Sequence, residues 1–303
     1  MFGQAALGAT DRHVVYGIYA KFGAIVVFAS MDTLVKWLGS GYPVAQLLLF
    51  RSALAFIPLM IMMSMSVGVS ALRTRQPGWQ AIRAAFGLAA TFGFFWAFPR
   101  APLVDIYAIS FAAPFFMAAL SIPILGEQVG WRRWSAIIVG FIGVVVILDP
   151  GAGFDFVSMI ALGATFIYAF NIVVLRRIAR TDRDESSMFY YGTACLAIFG
   201  GLCLFDPDTH WRNPVGWDWL WLAAVGLMGG VGQIFSTRAL RLAPPSVLAP
   251  FEYTAIIFAF AYGWIFFHEL PASSVWYGLP LVIGSGLYIL YRESVRARQA
   301  ARG

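Results

Sequence analysis

Apolar residues in this chain form long unbroken runs. They follow neither the two-residue alternation of a strand nor the one-sided stripe of a soluble helix. Dividing the runs at Pro, Gly and charge clusters gives ten segments, at about 14–38, 43–66, 79–99, 102–124, 132–149, 156–176, 187–206, 217–238, 245–267 and 274–291. A helix needs roughly 20 predominantly apolar residues to cross the hydrocarbon core, and a helix that is apolar all round belongs in a membrane or a deep core. The pattern predicts an all-α polytopic membrane protein of ten transmembrane helices joined by short connections, with no length left for a soluble domain.

The runs also repeat. Ala101-Pro102 opens a segment closed by Glu127, and Ala243-Pro244 opens another closed by Glu269, so a shift of 142 residues aligns them without a gap. That shift places Ala113 on Ala255, Phe116 on Phe258 and Ala119 on Ala261. It predicts two five-helix units, 14–149 and 156–291, flanked by tails at 1–13 and 292–303. Basic residues cluster in alternate loops: Arg73, Arg75 and Arg83, then Arg132 and Arg133, then Arg176, Arg177, Arg180 and Arg183, then Arg238 and Arg241. With Arg12 and the tail residues Arg292, Arg296, Arg298 and Arg302, one side holds 16 of the 21 basic residues. By the positive-inside rule that side is cytoplasmic, both termini included. Five helices per unit then force the second copy to start on the opposite side from the first, which makes the repeat an inverted one. Inverted repeats are a common construction of secondary transporters.

Composition narrows the classes further. Only 12% of residues are charged, where soluble domains carry about 25%. The net charge of +6 is explained by the loops just named and does not point to nucleic acid. There is no GxxxxGK[ST] phosphate loop, so this chain by itself does not pump with ATP. Cys195 and Cys203 lie in one apolar run as small hydrophobes, without metal-ligand spacing. His13, His210 and His268 are scattered at span ends and outside spans, so the convergent groups of a membrane-embedded enzyme are missing. No cofactor is expected. The first run contains Asp32 and Lys36 without a small-x-small cleavage site, so it reads as a retained span.

The repeated segment, with Ala101-Pro102, Pro114-Phe115-Phe116, Leu125-Gly126-Glu127 and Gly140 with Gly143, resembles the EamA-type ten-helix members of the drug/metabolite transporter superfamily. Its second copy reads Ala243-Pro244, Glu252, His268-Glu269 and Gly284 with Gly286, with Ile256 in place of the expected Pro and His268 in place of Gly. Ser30-Met31-Asp32, Lys36-Trp37, Tyr42-Pro43 and Phe50-Arg51 are similar to a subgroup that includes riboflavin and S-adenosylmethionine importers. The resemblance implies two inverted five-helix repeats around a central cavity in a bacterial inner membrane, alternating access and a small-molecule substrate. Membrane lipid is the surrounding partner, and homo-oligomerisation is left open. It implies no cargo, because the scaffold serves many. Riboflavin uptake is the leading expectation, with S-adenosylmethionine uptake or export of amino-acid-like metabolites behind it.

Ionisable groups inside a bilayer are costly and mark candidate sites. Asp32 lies ~9 Å and Arg51 ~12 Å from the outer surface at 1.5 Å per residue, and Asp105 enters its span from the same side. Two readings compete for them. In one, Arg51 pairs with Asp32 or Asp105 as a strut while Lys36 snorkels to the headgroups. In the other, the ion pair is an outer gate. Glu252 stands in the inner half with no basic residue evident at its depth, which suits proton coupling or a cation, or else a helix break near Pro250. Glu127 and Glu269 end their spans and are expected to hold the loops that follow. Trp96, Tyr107, Ser110, Asn171, Gln233 and Tyr253, with Gln46 and Tyr168, are uncharged candidates for an aromatic, hydrogen-bonding cavity wall.

Overall fold

The computed structural model describes residues 2–66, 73–126, 131–149, 155–205, 211–243 and 245–300. Its helices are α1 (Phe2–Leu38), α2 (Val44–Ser66), α3 (Pro77–Ala97), α4 (Leu103–Ser110), α5 (Ala113–Leu125), α6 (Trp131–Leu148), α7 (Phe156–Ile178), α8 (Asp184–Phe205), α9 (Asp218–Leu242), α10 (Pro245–Glu252), α11 (Ala255–Phe267) and α12 (Ser273–Ala300). A short 3₁₀ turn, Phe98–Arg100, follows α3. No strand occurs among the described residues. Among the described residues seven segments are long and apolar enough to cross a membrane: His13–Leu38, Pro77–Arg100, Leu103–Leu125, Phe156–Ile178, Ser186–Phe205, Asp218–Leu242 and Pro250–Phe267. Val44–Pro58 and Trp134–Leu148 are shorter apolar helices. The expected tails are not separate from the bundle helices, since α1 starts at Phe2 and α12 runs to Ala300.

The packing carries the repeat. α1 lies along α9 and α3 along α7, two pairings that exchange under the 142-residue shift; α6 packs on α12 and α2 on α8, pairings that map onto themselves. Carbonyls and side chains mark the two ends of the bundle. At the arginine-rich end, Arg177 donates to Ile124 O at the end of α5 (3.0 Å). At the opposite, distal end, Lys36 reaches Glu269 just past α11 (2.8 Å). The two copies of the segment therefore finish at opposite ends, as an inverted repeat requires. α6 and α12 approach so closely that a Cβ on Gly278 would stand 2.5 Å from Gly143 O, so neither position has room for a side chain.

Both copies are broken helices, and they break in the same register, at Phe111–Ala112 and at Tyr253–Thr254. In the first, Pro114 lacks the N–H that would bond Ser110 O and its ring crowds that turn. In the second, Ile256 occupies the equivalent place, yet the chain still tightens, with Thr254 N bonding Phe251 O (3.0 Å) and Ile257 N bonding Thr254 O (3.0 Å). Pro250, inside α10, stands three residues before this break, as the sequence leads one to expect. The caps are equivalent too. Gly126 ends α5 at φ 72°, and His268 ends α11 at φ 54°, a left-handed conformation that glycine adopts without cost and histidine does not.

Loops are braced in pairs across the repeats. At the arginine-rich end the Asp182 carboxylate accepts from the Thr74 hydroxyl, from Arg75 N (3.0 Å) and from Gln80 Nε2 (3.3 Å). Burial works against its charge, but these donors and Thr181 outweigh it and hold Asp182 below the usual carboxylate value. At the distal end Tyr42 donates to Asp218 (2.5 Å), and the Gln46 amide exchanges two bonds with the Arg212 backbone (2.7 and 3.1 Å). Gln46 is thus a loop clamp and not a cavity wall.

Candidate functional site

Asp32 occupies the distal half of α1, and Tyr107, on α4, donates its phenol to Asp32 Oδ2 at 2.7 Å. Arg51 enters from α2. It stands close enough to Asp32 to interact through space, but the two form no salt bridge. The guanidinium lies 5.6 Å from the Phe95 ring, and its Nε is buried with no hydrogen-bond partner among the described residues. Gly229 of α9 lies alongside, where a Cβ would make ordinary contact with Arg51 at 3.6 Å. Asp32, Arg51 and Tyr107 are each only partly buried, and Tyr107 packs against the hydrophobic core.

The other expected members separate into groups. Asp105 accepts from Ala272 N (3.2 Å) and so ties α4 to the loop before α12, away from Arg51. Lys36 does not snorkel. It is buried, bonded to Glu269 (2.8 Å) and to the carbonyls of Phe98 (3.2 Å) and Ala101 (2.5 Å), and lies over the Phe267 ring. Among the described residues it is Lys36, not Arg51, that makes the distal ion pair, and through it Glu269 reaches α1. The matching expectation for Glu127 lies outside the described residues. Trp96 is also distal, stacked under Arg100 (4.2 Å) and against Phe156 (5.9 Å). Ser110 bonds back to Tyr107 O (2.7 Å).

Toward the arginine-rich end, Glu252 has the basic partner the sequence did not reveal, Lys21 of α1 at 2.6 Å. Gln233 is exposed on α9, one turn beyond Gly229 on the same face. Tyr253 is buried with its ring 5.0 Å from that of Phe111. Asn171 is buried beside Gly87, its Oδ1 without a partner among the described residues. Sequence reasoning missed three hydroxyls. Tyr262 lies 3.1 Å from Ser30 Oγ, and Tyr191 lies 2.9 Å from Thr91 Oγ1. Nothing in the apolar runs around Tyr191 and Tyr262 distinguishes them from lipid-facing aromatics.

Between α1, α9 and α11 the distal half also has a cavity of about 580 Å³, lined by Ser30, Leu34, Trp37, Trp221, Met228 and Tyr262 among others. The described residues include no cluster of His, Cys, Asp and Glu that could hold a metal ion. The arrangement sets a carboxylate and an incompletely bonded guanidinium within electrostatic reach of each other, near the rings of Phe95, Phe98 and Tyr107.

The model of the EamA-like transporter family matches the chain twice, over residues 15–149 and 156–291. The chain belongs to the EamA-like transporter family. As an EamA-like protein it is a multi-pass membrane transporter of the drug/metabolite class rather than an enzyme. A riboflavin transporter of Vibrio cholerae is 27% identical over 294 residues, covering 95% of this chain and 97% of its own. An S-adenosylmethionine uptake transporter of Rickettsia prowazekii is 25% identical over 89% of this chain and 90% of its own. A pseudopaline exporter of Pseudomonas aeruginosa is 25% identical over 90% and 93%. A solved structure described as the crystal structure of a protein superposes with a TM-score of 0.60 at 22% identity, covering 89% of this EamA-like chain and 94% of the other, a likeness of fold alone.

Proposed function

We propose that this EamA-like protein takes up riboflavin, or a closely related planar heterocycle, across a bacterial inner membrane by alternating access, with both termini cytoplasmic. The observation that carries the reading is the pairing of Asp32 and Arg51 beside Tyr107, close but not bonded to each other. An acceptor and a donor offered side by side suit a heterocycle edge in which an N–H is flanked by carbonyls, and the isoalloxazine ring of riboflavin has such an edge. Their charges oppose, so the site is matched to a neutral solute and not to a permanent cation. The rings of Phe95, Phe98 and Tyr107 supply apolar walls. Relatives named as riboflavin transporters from Vibrio cholerae and from Rhizobium johnstonii support the same cargo.

Alternating access assigns the Lys36–Glu269 pair the distal gate, which must open for solute to enter from that side. Substrate contact is assigned to Asp32, Arg51 and Tyr107, with Asn171 and Gln233 lining the route. S-adenosylmethionine uptake is the second reading, resting on the named Rickettsia relatives. Each carboxylate that would meet its sulfonium already has a cation beside it, Arg51 for Asp32 and Lys21 for Glu252.

The test is uptake of labelled riboflavin and S-adenosylmethionine, in parallel, by vesicles carrying the chain and its Asp32→Asn variant. Saturable riboflavin uptake is expected, with KM raised roughly 10- to 100-fold in the variant at equal protein content, the worth of one charged hydrogen bond. Uptake of S-adenosylmethionine alone would transfer the assignment to that cargo.

A further inference from the structure

Phe111 and Tyr253 are counterparts in the repeat, separated by the same 142 residues that align Ala101 with Ala243, and each is the first residue of its helix break. Their rings touch, with centroids 5.0 Å apart at 68°. Two residues that exchange under a two-fold and also touch each other must lie beside that axis. The two broken helices therefore cross at their breaks, and this ring contact marks the crossing.

Both residues are buried, and the Tyr253 hydroxyl sits against Gly286 of α12, where an added Cβ would stand 1.8 Å from its oxygen. On the distal side of the pair lie Tyr107, one turn earlier on α4, and its partner Asp32. On the arginine-rich side lie Glu252, adjacent in the chain, and Lys21. Asp32 and Lys21 are eleven residues apart on α1, which is about 16 Å along the helix. The ring pair thus has one polar pair, Tyr107 with Asp32, on its distal side and another, Glu252 with Lys21, on the arginine-rich side.

We infer that the Phe111–Tyr253 pair is the mid-membrane septum of the transport path, and that a planar aromatic solute crosses it by passing between the two rings. The inference rests on the reading of the cargo as a flat heterocycle. Parting from 5.0 Å to about 7 Å and turning from 68° toward parallel lets each ring offer a face to a plane between them. The breaks supply the freedom, because Ala112 N and Thr254 N bond three residues back instead of four. Elsewhere the helices are continuous and could not swing a ring so cheaply. An aliphatic side chain would close the same space but offer no face to a ring.

The first experiment compares riboflavin uptake kinetics in vesicles for Tyr253→Phe, Tyr253→Leu, Phe111→Tyr and Phe111→Leu. The ring-retaining variants are expected within two-fold of the parent, and the leucine variants at least ten-fold higher in KM with unchanged yield of monodisperse protein. Gly286→Ala, which displaces the Tyr253 ring without removing it, should resemble Tyr253→Leu. Leucine variants that transport normally, or leucine and phenylalanine variants that fail alike, would overturn the septum.

A second experiment does not depend on cargo. In a Cys195→Ala/Cys203→Ala background, Tyr107→Cys is exposed to a membrane-impermeant maleimide from the arginine-rich side. Labelling is expected to be slow with both rings present and at least ten-fold faster in Phe111→Ala/Tyr253→Ala. Equal labelling with and without the rings rejects the septum even if the leucine variants do not fold. Parent vesicles that take up no riboflavin while the labelling contrast holds would remove the cargo reading and leave the septum in place.

Discussion

Among the described residues two ion pairs join helix α1 to the second broken helix, and the two are unlike. Toward the distal end Lys36 meets Glu269 at 2.8 Å with side chains 5% and 27% exposed; toward the arginine-rich end Lys21 meets Glu252 at 2.6 Å with side chains 13% and 57% exposed. The shorter bond is the weaker joint. Lys36 also satisfies two backbone carbonyls and lies over a ring, so its loss strands several groups in a low dielectric. The Lys21 pair has one bond and a solvated partner, where water and salt compete for both charges. In this bundle, depth and the number of partners decide what an ion pair is worth.

The largest break in this comparison is Lys36→Met. It leaves Glu269 and the Phe98 and Ala101 carbonyls without their donor, and a stability loss of about 3 kcal/mol is expected, near the low end for severing a buried pair because Glu269 keeps some exposure. Thermal unfolding of purified protein in detergent reads it, and a loss below that of Lys21→Met would reverse the ranking.

Next comes Asp182→Asn, which asks whether the arginine-rich end is held by its loop carboxylate instead of its ion pair. About 2 kcal/mol should be lost at pH 7, from hydrogen bonds made to a charged acceptor. Because the native pKa of Asp182 is depressed, its contribution is complete above the ordinary value of 3.8 and disappears as pH falls through the lower native value. The gap between parent and variant melting points should therefore close in acid and not in alkali.

The smallest effects belong to Lys21→Met and Glu252→Gln, each within about 1 kcal/mol of the parent and abolished by 1 M salt. A larger, salt-resistant loss would mean that the joint is desolvated in the bilayer.

Much of the architecture was legible from the sequence. Length and apolarity of the runs determine that they cross a bilayer, and the 142-residue shift identifies Phe111 with Tyr253 and Gly126 with His268 before any coordinates exist. The candidate charges were legible as a set, because any intramembrane ion is conspicuous in an apolar run. Their partners were not. Asp32, Lys36, Arg51 and Asp105 read as one cluster at similar depth, whereas Asp32 goes to Tyr107, Lys36 to Glu269 and Asp105 to the backbone of Ala272, with Arg51 left incompletely bonded. Glu252 looked solitary because its partner, Lys21, is 231 residues away.

Depth along a helix follows from counting residues at a fixed rise, so the sequence alone determined which groups stand at which level and in which repeat. Which groups face each other depends on the rotation of every helix about its own axis. That rotation is set by close packing, as at Gly143 against Gly278 and at Gly286 against Tyr253. Helix breaking shows the same division: Pro114 imposes it on the first copy from within the chain, while α10 and α11 part at the matching place with Ile256 where the first copy has proline.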